Sequence, residues 1–235
     1  MSLILYELGG RNGLRYSQFS WRTRLALAHK GLTAELKPVA VHDKEAIAFS
    51  RQGRVPILVD ADEVVVDSWT IAEHLETQRP NQPSLFGGEI GHGLSRFVNA
   101  YTDRVLIPAV VPLLMIDVTR CVEPRDAEHL RLQIEAGFRR PLEVLAADRD
   151  QAILGVRKLF DPARVCLKAQ PYLAGDHAAY ADYVLFSLFQ WARLVSTFPL
   201  IEDVDPLAAW RERMLDLHDG LARREASCAE REALS

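Results

Sequence analysis

Cysteine is scarce in this chain: Cys121, Cys166 and Cys228 are the only three, widely separated and without a CxxC pair. An odd number at such spacing argues against a disulfide framework or a structural zinc site and fits a reducing, cytoplasmic setting. None is expected at a helix start, which disfavours thiol catalysis by the protein itself. Long hydrophobic runs are also missing. The N-terminal MSLILYEL has no basic region and too short an apolar stretch for a signal peptide. The segment Ile107 to Val118 falls well short of the roughly 20 residues that span a bilayer, and with Pro108 and Pro112 inside it reads as a buried, kinked helix. Basic residues do not exceed acidic ones, 28 against 32, so no face recommends itself for a nucleic acid or an anionic membrane. GGRNG and FGGEIGHG match no phosphate loop or dinucleotide fingerprint, and there is no GxSxG elbow. His29, His74 and His129 lack metal-ligand spacing, and His42–Asp43 reads as a surface loop, so no metal is expected. Small molecules or another protein remain as partners.

What is present is a chain of 235 residues, 49% hydrophobic and 26% charged, long enough for two domains. Its first eighty residues alternate. Leu3 to Tyr6 reads as a strand, Ser17 to Lys30 as a helix, and Leu36 to Val41 as a strand whose Pro38 suggests a sheet edge. A weakly helical stretch near Lys44 to Phe49 precedes strands at Pro56 to Val59 and Val64 to Val66, and Asp67 and Ser68 open a helix through Glu76. The order βαβαββα implies a small α/β domain with a mixed sheet, residues 1–80. Pro- and Gly-rich RPNQPSLFGG reads as a linker, closing at 81–88, and residues 89–235 show helical periodicity, as in Leu130, Ile134, Phe138 and in Tyr183, Leu185, Leu188, Ala192, Val195. Phe186, Phe189 and Trp191 fit a helix core better than a substrate box. The charged tail from Arg224 reads as frayed.

Three short elements of the first domain carry candidate chemistry. Ser17 can cap a helix through the Ser20 N–H, and a hydroxyl at a helix N-terminus can equally stabilise an anion. In GRVPIL, Gly53 to Leu58, Val55-Pro56 is either a trans strand start or a cis turn that turns the Val55 backbone outward as a partner for an extended peptide. Asp67 and Ser68 form either a plain N-cap or a seat for an α-amino acid group, with the carboxylate on the amides and the ammonium on Asp67. Tyr6 and Ser20 are rival hydroxyls. Tyr6 falls inside the strand pattern, and Ser20, one turn past Ser17, fits an exposed or supporting role.

In this order the three elements resemble the glutathione S-transferases. QPYLAGDHAAYADYVLFS, Gln170 to Ser187, is similar to that family's second-domain capping segment, with Asp182 at the buried aspartate that starts its core helix and Ala179 where Ser or Thr is usual. WRTRLALAHKGL, DSWTIAEHLE and DPLAAWRERMLDL resemble the bacterial β-etherase-related branch. The resemblance implies a thioredoxin-like domain with a mixed four-stranded sheet, then an α-helical bundle, and glutathione as co-substrate without a metal. It implies Ser17 as the catalytic serine, donating to the glutathione sulfur, and Arg54, Val55, Pro56, Asp67 and Ser68 as glutathione-binding residues. SQFS stands where relatives have SPY or CPYC, so Gln18 replaces a proline. A hydrophobic electrophile, such as an aryl ether, would meet the thiolate between the domains against Tyr101, Val105 and Pro108, in a homodimer. The alternatives are a non-catalytic ligand-binding protein of the same fold, or a glutathione-dependent reductase or isomerase; the absence of cysteine at position 17 argues against disulfide reduction.

Overall fold

The computed structural model describes residues 3–234. The first part contains β1 (Leu3–Leu8), a 3-10 turn (Arg11–Gly13), α1 (Gln18–His29), β2 (Ala34–Val39) and a 3-10 helix (Glu45–Ser50), followed by β3 (Ile57–Asp60), β4 (Glu63–Val66) and α2 (Ser68–Gln78). The strands lie in the order β2-β1-β3-β4, β2 parallel to β1 and the other pairs antiparallel. This is the thioredoxin-like arrangement with a mixed sheet. β1 buries alternate residues, Leu3, Leu5 and Glu7, the period-2 pattern of a strand covered on one face. β2 begins and ends two residues earlier than its hydrophobic pattern suggested, because pairing with β1 runs from Ala34 opposite Leu3 to Val39 opposite Leu8. Pro38 is on that edge strand, where a missing N–H costs no ladder bond.

Every regular element described after Val66 is helical. α3 (Glu89–Tyr101) runs through a π-helical turn (Thr102–Leu106) into α4 (Ile107–Val118). α4 continues through Pro112, so the irregularity lies one turn before the place the prolines indicated. Then come α5 (Pro124–Phe138), α6 (Leu142–Ala147), α7 (Arg149–Lys158), α8 (Asp161–Ala169), α9 (Tyr180–Val195), α10 (Pro206–Gly220) and α11 (Cys228–Glu232). No helix among the described residues is long and apolar enough to cross a membrane.

α9 is buried on all sides, from Tyr180 to Val195 with Arg193 as the exception, and a helix with that pattern has to be the centre of a bundle. Phe186, Phe189 and Trp191 all belong to this core. Ala179 offers no side-chain cap, and Asp182 compensates. Its carboxylate accepts from the backbone N–H of Leu173 (2.7 Å), Ala174 (3.2 Å) and Ala179 (3.2 Å) and from Trp210 Nε1 (2.9 Å). Burial pushes the Asp182 pKa up, against those four donors.

The stretch between α2 and α3 is tacked down rather than loose. Leu85 and Phe86 are buried, the Phe86 ring centroid lies 5.4 Å from those of both Trp69 and Tyr180, and Tyr180 N donates to Leu85 O. The tail differs from the sequence expectation in the same direction. Ser227 caps α11, Arg231 donates to Asn12 O (2.8 Å), and Glu225 pairs with Arg24 (3.2 Å). Cys228 therefore does open a helix. Burial raises its pKa, so the position does not activate the thiol.

Two outcomes follow from buried carboxyl groups. Asp182→Ala strands three or more buried donors at about 1–3 kcal/mol each, so urea unfolding should show a loss of at least about 3 kcal/mol, and a loss below about 1 kcal/mol would contradict the hub role. Glu7 is buried beside Arg15 Nε (3.3 Å), and desolvation outweighs Arg24 and Arg15 to raise its pKa from 4.5 to about 7. A raised folded-state value gives stability that is complete below pH 4.5 and lost as pH rises through about 7. Glu7→Gln should therefore gain on wild type between pH 5 and pH 8, by up to about 3 kcal/mol. A difference independent of pH would contradict the shift.

Candidate functional site

The start of α1 is the first component. Ser17 has extended backbone geometry and its Oγ accepts from Ser20 N at 3.3 Å, so the capping bond expected from sequence is present. That bond occupies a lone pair of the oxygen and leaves the hydroxyl proton free to donate. The first turn of α1 contains no acidic residue, so the positive end of the helix dipole is not neutralised by its own side chains. The loop entering it is held by Trp21 Nε1 donating to Arg15 O (2.9 Å). Of the exposed and supporting roles that its spacing left for Ser20, the exposed one is excluded. Ser20 is 1% exposed, its Oγ has no hydrogen-bond partner, and its contribution to Ser17 comes from the backbone.

The second component is the turn into β3. The Val55-Pro56 bond is cis, with Pro56 buried and Val55 half-buried, and Pro56 O accepts from Asp67 N (3.3 Å). The third is the strand-to-helix corner. Asp67 has φ +75°, a conformation that favours glycine, and its Oδ1 accepts from Trp69 N (2.9 Å) and Thr70 N (3.2 Å) at the start of α2. A non-glycine residue held there costs about 1–3 kcal/mol and persists where surrounding contacts over-determine it. Ser68 is buried just inside the helix, and its backbone oxygen accepts from Tyr180 Oη (2.8 Å), a residue of α9.

These elements meet at a cavity of about 480 Å³, within the size range of small-molecule sites. Its wall consists of Phe19, Gln52, Arg54, Val55, Pro56 and Asp67 from the first domain and Asp103 and Arg104 from the π turn. Of the residues singled out from sequence, Arg54, Val55, Pro56 and Asp67 line it, while Ser17 and Ser68 are buried and outside its wall. Two arginines and two aspartates give its wall both signs of charge. Arg54 and Arg104 form no ion pair among the described residues. Asp103, by contrast, is gripped: its Oδ1 accepts from Arg22 Nη2 (2.7 Å) and its Oδ2 from Asn99 Nδ2 (2.9 Å).

Asp103 and Arg104 escaped the sequence reading, which chose Tyr101, Val105 and Pro108 at helical spacing. None of those three lines this cavity. Asp103 and Arg104 both belong to the π turn, where the wider helix departs from the regular α spacing. Tyr101 instead donates to Leu159 O (2.7 Å) inside the helical domain, and Pro108 is exposed. Tyr6 is also elsewhere, in β1 with its ring centroid 5.0 Å from that of Phe49. No group of three or more potential metal ligands occurs among the described residues.

Comparison with known proteins agrees with this architecture. The family model "Glutathione S-transferase, N-terminal domain" matches residues 16–78, and "Glutathione S-transferase, C-terminal domain" matches residues 93–220. Glutathione S-transferase 1 of Dianthus caryophyllus is 38% identical over 201 residues, 80% of this chain and 81% of that protein. Glutathione S-transferase 4 of Zea mays is 26% identical over 227 residues, 92% and 88% of the two chains. A solved glutathione S-transferase of Ceriporiopsis subvermispora, in complex with glutathione, superposes with a TM-score of 0.73 at 20% identity, covering 100% of this chain and 96% of that one, a likeness of fold. With both domains matched in order over most of its length, this chain belongs to the glutathione S-transferase family.

Proposed function

We propose that this protein binds glutathione in the cavity between its domains and activates the thiol for attack on a hydrophobic electrophile. The observation that carries the reading is a charged cavity, bounded by Arg54, Asp67, Asp103 and Arg104, beside a helix N-terminus that has no acidic residue and is capped by Ser17. Glutathione carries two carboxylates and one ammonium, a match for two guanidinium groups and a carboxylate. Val55, ahead of the cis bond, offers its backbone to the cysteinyl unit, and Asp67 with Ser68 takes the γ-glutamyl end. A thiol with pKa near 8.5 is only a few per cent thiolate at pH 7. Ser17 Oγ, already accepting from Ser20 N, donates a hydrogen bond to the thiolate sulfur, and the helix dipole favours the anion. Ser17 is thus a donor and not a nucleophile.

The electrophile we favour is an aryl ether, supported by the branch-like segments beginning at Trp21, Asp67 and Asp205. In that reaction the thiolate attacks the carbon bearing the aryloxy group and a phenol leaves. Turnover of halo-aromatics without phenol release from aryl ethers would retain the transferase reading and reject this substrate. Glutathione binding without any conjugation would favour a ligand-binding protein, and isomerisation without net glutathione consumption would favour an isomerase.

Ser17→Ala should lower turnover by roughly 10- to 150-fold, the value of a hydrogen bond to a charged group, while weakening glutathione binding much less. The pKa of the bound thiol, followed by thiolate absorbance, should rise in the same variant. Loss of a cap alone would cost about 1 kcal/mol of stability and leave turnover per folded molecule intact.

We also propose a homodimer, supported by an apolar row along α3: Ile90, Leu94 and Phe97 are 83%, 64% and 70% exposed at i, i+4 and i+7. Light scattering should give about twice the chain mass of 26.4 kDa at micromolar concentration, and Leu94→Glu should shift it toward the monomer. A wild-type mass near that of one chain would reject the dimer.

A further inference from the structure

A second cavity lies within the helical domain and receives no side chain from the first. Its volume is about 170 Å³, and its wall includes Val98, Thr102, Leu106, Phe160, Ala163 and Leu185. No charged residue contributes to that wall, so an ionised ligand entering it would lose hydration without compensation. An apolar cavity of about 150 Å³ accommodates benzene, so the volume here matches one aromatic ring.

Polar groups at the wall set its chemistry further. Thr102 is 1% exposed, and its Oγ1 has no hydrogen-bond partner. A buried hydroxyl in that state is costly and rare in folded proteins. A helical threonine has two populated χ1 wells, so its hydroxyl can be presented to the cavity by a rotamer change. Next to it, Tyr101 also lines the cavity and donates to Leu159 O (2.7 Å), which leaves the Tyr101 oxygen able to accept. One vacant hydroxyl and one vacant acceptor, in an otherwise apolar chamber, match a ring carrying a single hydroxyl.

We propose that this cavity binds a neutral monocyclic phenol, with its ring among Val98, Phe160, Ala163 and Leu185 and its hydroxyl on Thr102. The site is separate from the interdomain cavity and does not rest on the transferase reading. Phenol and its near-isostere toluene, titrated calorimetrically into the full chain, test it. Phenol should bind saturably, one molecule per chain, with the same affinity in the presence and absence of S-methylglutathione. Thr102→Val keeps shape and removes the hydroxyl, so it should weaken phenol by about 2- to 12-fold and leave toluene unchanged. Ala163→Phe should fill the chamber and abolish both. Absence of saturable binding, displacement of phenol by S-methylglutathione, or survival of binding in a folded Ala163→Phe protein would overturn the proposal. So would an unchanged phenol-to-toluene ratio in Thr102→Val, which decides the matter if Ala163→Phe does not fold.

Discussion

A buried guanidinium holds the two domains in register. Arg22, in the second turn of α1, is 0% exposed, and a charge removed from water is tolerable only where it is paired and hydrogen-bonded. Its partners all come from the helical domain: Ser187 Oγ on α9 (3.1 Å), Asn99 Oδ1 on α3 (3.1 Å) and Asp103 Oδ1 in the π turn (2.7 Å). On the other side the guanidinium carbon lies 4.8 Å from the centroid of Phe19. Phe19 and Asp103 are both walls of the interdomain cavity, one from each domain. Satisfying one buried cation therefore also sets the width of the cleft and the orientation of a carboxylate that faces it.

Further polar clamps across the domain boundary repeat the principle. Asp126 of α5, almost fully buried, accepts from the backbone N–H of Val41 (2.9 Å) and His42 (2.8 Å) and contacts His42 Nδ1 at 2.6 Å. Tyr180 reaches from α9 to the first turn of α2, next to the strained Asp67 corner. The Tyr180 clamp lies at the strand-to-helix corner that lines the cavity, so the helical domain supports the geometry of the first. Isolating the thioredoxin-like domain would leave these groups unpaired, which makes the cavity a property of the whole chain.

Features legible in the sequence were those fixed by a few neighbouring residues. Ser17 before an apolar-periodic helix, Val55-Pro56 before a strand and Asp67-Ser68 before a helix each carry their conformation locally, as does Asp182 three residues after Ala179. Those that escaped depend on distant partners or on phase. Arg22 carries no local signal of burial, because its partners Ser187 and Asp103 lie 165 and 81 residues away. The π turn places Asp103 and Arg104, rather than Tyr101, Val105 and Pro108, on the wall of the interdomain cavity. The tail from Arg224 has the composition of a frayed end but docks through Arg231 onto Asn12, a contact spanning 219 residues. Local chemistry is readable one element at a time, whereas the fourth wall of a site becomes visible only after folding.

A crystal structure with glutathione bound tests the assignment of the cavity most directly, through the distance from its sulfur to Ser17 Oγ. Hydrogen-bonding distance is expected, with the carboxylates near Arg54 and Arg104 and the ammonium near Asp67 or Asp103. A sulfur remote from Ser17, or a peptide held without contact to Asp103 and Arg104, would contradict a site built jointly by the two domains.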